Sequence, residues 1–464
     1  MKISVIGCGY LGAVHAATLA SMGHTVVGID VDPSKVEQLG RGVAPFFEPG
    51  LDELLQHGRA TGRLSFSADI ADAAGATLHF LCVGTPQSKT SDGADLSYLV
   101  AATRALLPYL LPGAAVVGKS TVPVGTVDML RGELSTRPDV LLGWNPEFLR
   151  QGTAVKDSLV PDRLVYGVPE DNAVAVTAAL DAVYEPLLAA GIPRIVCNFA
   201  TAELIKSASN AYLATKLSFV NAMAELCDAS GADVTQLAGA MGLDPRIGSR
   251  YLHAGLGFGG GCLPKDIRSL RVQAQALGVP SVDRWMDVVD SVNQDQRSRT
   301  VDLARELCGG QLGGRRITVL GAAFKPDTND IRDSPALDVA QQLAAAGAHV
   351  TATDPAAINN AWQRYPQLRF EPSTAQALDG AELVLLLTEW DEYVALSPAS
   401  AGALVRRRTL LDARNALDPS AWEAEGWTVR SLGRVPGRGA GSSVAADATA
   451  AAGRRMVAAS SATA

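Results

Sequence analysis

The segment that determines the fold is Gly7-Cys8-Gly9-Tyr10-Leu11-Gly12, near the start of a 464-residue chain. It directly follows a short β-rich run, residues 2–6, and it leads into residues 13–22, which favour a helix. A second β-rich run, residues 24–30, ends in Asp30. Glycines spaced Gly-x-Gly-x-x-Gly between a strand and a helix, with an acid closing the next strand, predict a Rossmann-like unit that binds a dinucleotide.

Each residue of this fingerprint has a separate task. Gly7 allows the tight turn, Gly9 lets a pyrophosphate approach the backbone, and Gly12 permits close packing of helix on strand. The helix N-terminus offers free N–H groups and a positive dipole end to the phosphates. Asp30 can accept hydrogen bonds from a ribose diol and would repel a 2′-phosphate, which favours NAD over NADP, and Lys35 can add a second contact near the ribose.

The α/β alternation continues after this unit, and three further apolar runs predict buried strands, at residues 78–83, 114–118 and 140–143. Thr85, Thr121 and Glu147 follow these runs, and ligands of open parallel sheets bind beyond the carboxyl ends of the strands. Glu147, between a proline and a phenylalanine, is expected to be a partly buried carboxylate that can act as a base. A helix-capping carboxylate explains the same sequence equally well.

The pattern becomes helical at residue 201 and has no Pro or Gly before Gly231, so this long helix is expected to bridge two domains or to form part of a dimer interface. Residues 315–321 then begin a second strand–turn unit, in which the glycine fingerprint is degraded. This second unit therefore suits a ligand other than a dinucleotide. Lys325 and Arg414, at predicted strand ends, suit a nucleotide diphosphate.

The predicted fold is α/β, with two Rossmann-like doubly wound domains joined by a long central helix and a helical dimerisation region. The predicted divisions are a dinucleotide-binding domain over residues 1–198, a central helical domain over 199–300, a nucleotide-sugar-binding domain over 301–433 and a tail over 434–464. The tail is rich in Gly, Ala, Ser and Arg and is expected to be disordered.

A second informative segment is Gly257-Phe258-Gly259-Gly260-Gly261-Cys262-Leu263-Pro264-Lys265-Asp266. A thiol at the end of a glycine run is open to a substrate carbon, and the positive charge nearby is expected to favour the reactive thiolate. Asp266 can serve as an acid, as a base or as a group that orients water. The alternative is a mobile glycine loop that contains a buried, inert cysteine.

Lys206 and Asn210 are four residues apart and share one face of the long helix, where they can polarise a hydroxyl or stabilise an oxyanion. From the residues alone, a solvated lysine with a neutral neighbour is the better explanation. Arg246 and Arg250 precede the cysteine loop and can pair with phosphates.

Composition limits the remaining possibilities. The net charge of −8 and the lack of a Lys/Arg cluster argue against a nucleic-acid partner. Six dispersed cysteines suit reduced thiols in the cytoplasm rather than disulfides or a metal site. No apolar run is long enough to cross a membrane, and the first residues suit a strand rather than a signal peptide.

The chain resembles the UDP-glucose/GDP-mannose dehydrogenase family over about residues 1–433. The resemblance rests on motifs in the same order, namely GCGYLG with Asp30, FFEPGLDELL, FLCVGTPQ, KSTVPVGT, NPEFLRQGTAVKD, ELIKSASNAYLATK, GFGGGCLPKD, AFKPDTNDIRDSP and TEWDEY. It implies oxidation of a nucleotide sugar's primary alcohol to a carboxylate, by two hydride transfers to NAD and without a metal. UDP-glucose is the favoured substrate and a homodimer the favoured assembly. GDP-mannose, a UDP-N-acetylhexosamine, a non-catalytic sensor and a one-step alcohol dehydrogenase are the alternatives.

The resemblance also implies roles for single residues. Cys262 would be the nucleophile that carries a thiohemiacetal and then a thioester, with Lys206 and Asn210 stabilising the oxyanion. Asp266 would activate water, and Glu147, with a water held by Thr121, would be the base of thioester hydrolysis. The expected cofactor contacts are Gly7, Gly9, Tyr10, Leu11, Gly12, Asp30, Lys35, Thr85, Thr121, Gln151, Lys265 and Arg332. The expected substrate contacts are Glu147, Phe148, Leu149, Lys206, Asn210, Arg246 from the neighbouring subunit, Arg250, Phe258, Gly259, Phe324, Lys325 and Arg414.

Three positions depart from the family pattern: Gly261 stands where serine is frequent, Leu263 stands where phenylalanine is common, and the third is Gln151. Gln151 stands where many relatives carry a glutamate, so hydrogen bonding is kept there while the charge is lost. Any acid–base part at this position is therefore not expected of this chain.

Overall fold

The structure is a computed structural model, and it describes residues 1–434. The N-terminal lobe contains one eight-stranded sheet. Its strands are β1 (Lys2–Ile6), β2 (Thr25–Ile29), β3 (Leu64–Ser67), β4 (Leu78–Leu81), β5 (Ala115–Gly118), β6 (Leu141–Trp144), β7 (Leu164–Gly167) and β8 (Arg194–Cys197). Their order across the sheet is β3-β2-β1-β4-β5-β6-β7-β8.

The order of these strands explains where a ligand can bind. β1 pairs in parallel with both β2 and β4, so the direction of the winding reverses at β1. Such a reversal opens a crevice at the carboxyl ends of the strands. The sheet stays parallel up to β6, and only the pairing of β6 with β7 is antiparallel.

Both faces of this sheet are buried, because Val5 and Ile6 of β1 belong to different apolar cores. The helices that cover the faces are α1 (Tyr10–Ser21), α2 (Pro33–Gly40), α3 (Leu51–Ala60), α4 (Ser97–Leu106), α5 (Thr126–Glu133), α6 (Ala154–Leu159), α7 (Ala173–Val183) and α8 (Glu185–Ala189). Short 3-10 turns lie at Ile70–Ala73 and Leu107–Tyr109.

Four helices form the centre of the chain: α9 (Phe199–Ser230), α10 (Val234–Gly242), α11 (Leu263–Ala276) and α12 (Pro280–Leu307). The side chain of Asn198 accepts a hydrogen bond from the Thr201 N–H at 2.8 Å and so caps the start of α9. Gly231, with φ of +77°, ends it in the left-handed conformation that glycine adopts freely. α11 and α12 pack against α9.

The C-terminal lobe contains a six-stranded parallel sheet of order β11-β10-β9-β12-β13-β14. Its strands are β9 (Arg316–Leu320), β10 (His349–Thr353), β11 (Arg369–Phe370), β12 (Leu383–Leu386), β13 (Thr409–Asp412) and β14 (Thr428–Ser431). Its helices are α13 (Pro335–Ala345), α14 (Ile358–Arg364), α15 (Thr374–Leu378), α16 (Asp391–Val394), α17 (Pro398–Leu404) and α18 (Pro419–Ala424).

The predicted fold class is confirmed: two Rossmann-like α/β lobes flank a long central helix. α12 continues through residue 300, where the sequence predicted a domain boundary, and the boundaries themselves stay a prediction. Arg434, the first residue of the predicted tail, pairs with Asp233 at 3.2 Å. The predicted disorder of residues 435–464 concerns a segment outside the described residues. Among residues 1–434, none of the helices combines the length and the apolar character needed to span a bilayer.

Candidate active site

The glycine loop before Cys262 is held by the central helices and by the C-terminal lobe. Asn293 of α12 accepts a hydrogen bond from the Phe258 N–H at 2.7 Å and donates one to the Phe258 carbonyl at 3.0 Å. Arg414 of the C-terminal lobe donates to the Gly257 carbonyl at 3.3 Å. The position of the loop therefore depends on both parts of the molecule.

The next residues of the loop need to be glycine because the C-terminal lobe approaches them so closely. A Cβ at Gly259 would collide with the carbonyl oxygen of Asp333. A Cβ at Gly260 would lie 2.7 Å from the Phe324 ring, and the Gly260 N–H donates to the Arg332 carbonyl at 2.9 Å. The glycine run thus packs its backbone directly against the opposite lobe.

Cys262 lies at the N-terminal cap position of α11. Its carbonyl accepts the Asp266 N–H at 2.9 Å, and Pro264, which lies in the first turn, suits the start of a helix. The residue is exposed to solvent at this point. A thiol at a helix N-terminus that solvent can reach has the surroundings of a reactive cysteine rather than of a structural one.

Five charged or polar side chains form a largely buried cluster beside this thiol. Lys206 Nζ lies 3.0 Å from Glu147 Oε1, and the two side chains are only 6% and 11% exposed. One turn further along α9, Asn210 Nδ2 donates to Asp266 Oδ2 at 2.6 Å. Lys265 Nζ completes the cluster 2.7 Å from Asp266 Oδ1. Two carboxylates, two ammonium groups and an amide therefore lie close together, an arrangement suited to proton transfer and to stabilising an oxyanion.

The charges in this cluster set the ionisation of the thiol. Although the residue as a whole is exposed, protein groups crowd its sulfur, and this local desolvation raises the pKa of the Cys262 thiol above its ordinary value; Glu147 and Asp266 raise it further, and Lys206 and Lys265 lower it. The two lysines therefore favour the thiolate, as predicted, but burial and two carboxylates outweigh them in the ligand-free protein, so the pKa of the thiol is raised.

The same carboxylates favour the charged form of Lys206, whereas they disfavour the charged form of the thiol. Burial favours the neutral amine, yet Glu147, Cys262 and Asp266 together raise the pKa of Lys206 above its ordinary value. Lys206 is thus a buried cation whose charge is maintained by its neighbours. The prediction of a solvated lysine, drawn from the residues alone, is wrong.

The ends of β4 and β5 lie at the same edge of the sheet as Glu147, which follows β6. Thr85 Oγ1 donates to the Thr121 carbonyl at 2.7 Å, which ties the end of β4 to the end of β5. After β6, Glu147 Oε2 accepts the Leu149 N–H at 2.8 Å. The Phe148 ring lies 4.0 Å below the Arg163 guanidinium and 5.6 Å from Lys206 Nζ. The carboxyl ends of three adjacent strands therefore supply the residues expected there.

The dinucleotide turn has the shape that its glycines predict. Gly7 has φ of +91°, and a Cβ at Gly12 would collide with the Gly7 carbonyl oxygen. Nothing lies within 4 Å of a Cβ built on Gly9, so a ligand can approach the backbone there. Asp30 Oδ2 accepts the Cys8 N–H at 2.8 Å, and Lys35 Nζ lies 3.1 Å from both carboxylate oxygens. These residues fit a dinucleotide.

The C-terminal lobe presents a group of charged side chains to the N-terminal lobe. Lys325 Nζ donates to the Gln151 carbonyl at 2.5 Å, and Gln151 Nε2 donates to Asp330 Oδ2 at 3.0 Å. Arg332 pairs with Asp330, and Arg414 Nε donates to the Leu387 carbonyl at 2.7 Å. Gln151 therefore contacts the opposite lobe directly, in a role that its amide performs without a charge.

Three predicted substrate residues lie outside the polar cluster. Arg246 is 86% exposed and pairs with Asp244. Arg250 borders a cleft of about 470 Å³ that Phe148 also lines. The Phe258 side chain is buried in the apolar core of the central helices. Their contacts with a substrate stay predictions.

Sequence reasoning missed a second buried polar group, beneath Glu147. Lys119 Nζ donates to Asn145 Oδ1 at 2.7 Å and to Tyr184 Oη at 3.2 Å, and burial lowers the pKa of Lys119 to about 8. Glu48 and Asp330 were missed as well. Lys119, Glu48 and Asp330 lie within the motifs that carry the family resemblance. Their hydrogen-bond partners are distant in sequence, so only the structure shows which groups they bind.

Two Rossmann-like lobes that enclose a thiol, a buried lysine and paired carboxylates define a dehydrogenase. Family models match almost the whole described chain: the NAD binding domain of the UDP-glucose/GDP-mannose dehydrogenase family over residues 1–188, its central domain over 200–295 and its UDP binding domain over 318–419. The chain belongs to the UDP-glucose/GDP-mannose dehydrogenase family.

Individual relatives cover nearly the whole chain. The UDP-glucose 6-dehydrogenase of Rhizobium meliloti (strain 1021) is 40% identical over 438 residues, which are 94% of this chain and 100% of the relative. The UDP-glucose 6-dehydrogenase TuaD of Bacillus subtilis (strain 168) is 39% identical over 446 residues, 94% of each chain. The solved UDP-glucose dehydrogenase of Pyrobaculum islandicum superimposes with a TM-score of 0.85 at 35% identity, covering 94% of this chain and 98% of that one.

Proposed function

We propose that this protein oxidises UDP-glucose to UDP-glucuronate in two successive steps, with NAD as the oxidant. The observation that carries the proposal is the accessible Cys262 thiol beside the Lys206–Glu147 pair and Asp266, in the cleft between two nucleotide-type lobes. The identity of the sugar, glucose, is taken from the names of the relatives. A non-catalytic sensor would need neither the thiol nor a buried lysine.

The residues of the dinucleotide turn hold the cofactor, and NAD bound there accepts one hydride in each oxidation. The N-terminus of α1 would bind its phosphates, and Asp30 with Lys35 would contact its ribose. Tyr10, Leu11, Thr85, Thr121, Gln151, Lys265 and Arg332 complete this set.

In the first oxidation the sugar's C6 hydroxyl loses its proton, and the resulting oxygen charge is stabilised by the Lys206 ammonium with the Asn210 amide as second donor. Asp266 binds a water molecule that assists this proton transfer. Once C6 has also given up a hydride, the Cys262 sulfur adds to the aldehyde carbon, and the proton of the thiol passes to the aldehyde oxygen. The product is a thiohemiacetal that keeps the aldehyde bound.

The second oxidation converts this adduct into a thioester on Cys262. Glu147, assisted by Thr121, takes a proton from water, and the hydroxide attacks the thioester carbon. The carbon–sulfur bond breaks, the sulfur recovers a proton, and the carboxylate leaves. The raised pKa of the thiol in the ligand-free protein is compatible with this sequence, because bound NAD brings a positive ring that favours the thiolate.

The nucleotide sugar lies across the cleft. Lys325 and Arg414 suit the diphosphate because they are cations at strand ends of the C-terminal lobe, and Phe324 lies against the glycine loop. The remaining proposed substrate contacts are Phe148, Leu149, Arg250, Phe258, Gly259 and Arg246 from a neighbouring subunit.

The decisive experiment measures how much NADH forms per sugar. We expect two NADH for each UDP-glucose consumed, and slower turnover with GDP-mannose and UDP-N-acetylglucosamine. One NADH per sugar with release of aldehyde would indicate a one-step alcohol dehydrogenase. If GDP-mannose or UDP-N-acetylglucosamine were oxidised faster than UDP-glucose, the proposed substrate would be wrong.

We further propose a homodimer formed through the central helices. Tyr212, Phe219 and Leu226 repeat every seven residues along α9 and are 63%, 45% and 59% exposed. Trp285 and Val288 of α12 are also exposed, and the Trp285 indole N–H donates to Thr215 of α9 at 3.1 Å, which joins the two apolar faces. An apolar surface of this extent on a folded chain is characteristic of an interface.

The dimer is tested by placing a charge at the centre of this surface. Phe219→Glu is expected to give a monomer in light scattering, because a carboxylate would be buried without a partner. The monomeric variant should also lose activity, because Arg246 is proposed to complete the substrate site of the neighbouring subunit. Val174→Glu, at an exposed apolar residue of the N-terminal lobe, is the matched control and leaves the mass unchanged. A dimeric Phe219→Glu variant would contradict this interface.

A cytoplasmic location is proposed on the state of the cysteines. All six are free thiols, and a nucleophilic thiol of this kind persists in a reducing compartment.

A further inference from the structure

A buried carboxylate of the N-terminal lobe has no part in the chemistry above. Glu48 is 7% exposed and lies against the first residues of α6. Its Oε2 accepts the Gly152 N–H at 2.7 Å, and its Oε1 accepts the Ala154 N–H at 2.7 Å and the Val155 N–H at 3.4 Å. Two backbone donors of the first turn of α6, and the Gly152 N–H just before the helix, are thus satisfied from a distant part of the chain.

This capping is unusual because the local residue does not provide it. Thr153, at the N-cap position of α6, makes no capping bond, and its hydroxyl donates instead to Asp157 at 3.1 Å. The start of α6 is therefore fixed by a residue outside the helix. Glu48 is the residue that does so.

Glu48 also contacts the dinucleotide turn. The phenol of Tyr10 donates to Glu48 Oε2, and the same phenol oxygen accepts the Gly152 N–H at 3.1 Å. Tyr10 is the first residue of α1, inside the glycine fingerprint, and its ring packs 4.6 Å from that of Phe46. One carboxylate oxygen thus joins the turn that faces the cofactor to the backbone of residue 152.

The segment that Glu48 holds is the one that contacts the opposite lobe. Gln151, adjacent to Gly152, hydrogen-bonds to both Asp330 and Lys325 of the C-terminal lobe. A Cβ at Gly152 would lie 3.0 Å from the carbonyl oxygen of Asp327. The junction between the lobes is therefore only one residue away from the backbone group that Glu48 binds.

We propose that Glu48 is a positioning residue that couples occupancy of the two nucleotide sites. Its contacts link Tyr10, in the dinucleotide turn, to Gln151 and through it to Lys325, on the nucleotide-sugar side. A ligand that fixes the turn also fixes residues 151–154 and so prepares the opposite lobe, and by linkage the reverse holds. The inference rests on the proposed function, since it needs both ligands.

The experiment uses the full-length protein and titration calorimetry with the non-reacting product pair, NADH and UDP-glucuronate. Each ligand is titrated alone and in the presence of the other, and the ratio of affinities is the coupling factor. In the wild type we expect each ligand to tighten the other. In Glu48→Gln, which keeps the size but removes the charge, we expect this factor to fall about tenfold, within the usual range of such couplings.

Controls separate coupling from simple helix capping. Glu53→Gln changes an exposed glutamate of α3 and keeps the wild-type factor. Tyr10→Phe removes the phenol's hydrogen bonds to Glu48 and to the Gly152 N–H but leaves the contacts of Glu48 with α6, so it serves if Glu48→Gln does not fold; its factor should fall less but in the same direction. A lower melting temperature in Glu48→Gln with an unchanged coupling factor would overturn the inference, and so would a wild type that binds both ligands without coupling. A wild type that binds neither ligand would instead overturn the proposed function.

Discussion

Replacing Cys262 by serine is expected to stop steady NADH formation from UDP-glucose while the nucleotide sugar still binds. The serine hydroxyl is a far weaker nucleophile than a thiolate, and an ester formed through it would be hydrolysed much more slowly than the thioester. Because loss of a catalytic nucleophile lowers turnover by up to about 10⁶-fold, we expect a fall of at least roughly 10³-fold in kcat. Intact-protein mass spectrometry after mixing with both substrates should detect a covalent sugar adduct on the variant.

The matched control for this experiment is Cys197→Ser. Cys197 lies at the end of the edge strand β8, is half-buried and takes no part in the cluster around Cys262. Its kcat should stay close to that of the wild type. Turnover of Cys262→Ser at the rate of the wild type would exclude the thiol from the reaction.

The second large effect is expected from Lys206→Met, which keeps the length of the side chain and removes its charge. The ammonium is the buried cation nearest to the Glu147 carboxylate, so its removal takes away the charge proposed to stabilise the oxyanion. Losing one such donor costs about 10²–10³-fold in kcat. Breaking a buried ion pair also leaves a carboxylate uncompensated, at about 3–5 kcal/mol of folding stability, so the melting temperature should fall as well.

The pH profile distinguishes this role from a loss of stability alone. Lys206 lowers the pKa of the Cys262 thiol, so its removal raises that pKa, and less thiolate is present at a given pH. The rising limb of kcat/KM against pH should therefore move to higher pH in Lys206→Met. Lys89→Met, at an exposed lysine, is the control and should leave both kcat and the profile unchanged. A destabilised Lys206→Met variant with the wild-type pH profile and kcat would contradict the role.

The sequence predicted the dinucleotide turn of the first lobe and the long helix α9 because the signals for both are local. The fingerprint from Gly7 to Gly12 stands between a strand and a helix, and the absence of Pro and Gly before Gly231 marks α9. β3, β7 and β8 were not predicted from the sequence. The antiparallel pairing of β6 with β7 has no local signature either.

The candidate site shows a similar division. Chemical type and position singled out Cys262, Asp266 and Glu147, and the family resemblance reversed the preference for a solvated Lys206. The effect of the lysines on the thiol was predicted, but the burial and the carboxylates that outweigh them were not, because Glu147 is distant in sequence and burial depends on the whole fold. Contacts such as Gln151 with Asp330 cross from one lobe to the other and have no signal in either segment.

The glycine loop before Cys262 has a consequence for how the protein is made. Synthesis runs from the N-terminus, so Cys262 leaves the ribosome well before Arg332 and Arg414, whose backbone and side chain hold the loop from the other side. A nascent chain can therefore form its cofactor pocket while the sulfur still has no fixed geometry. The enzyme is assembled with its reactive group unaligned, and alignment comes only when the last lobe folds onto the finished part of the chain.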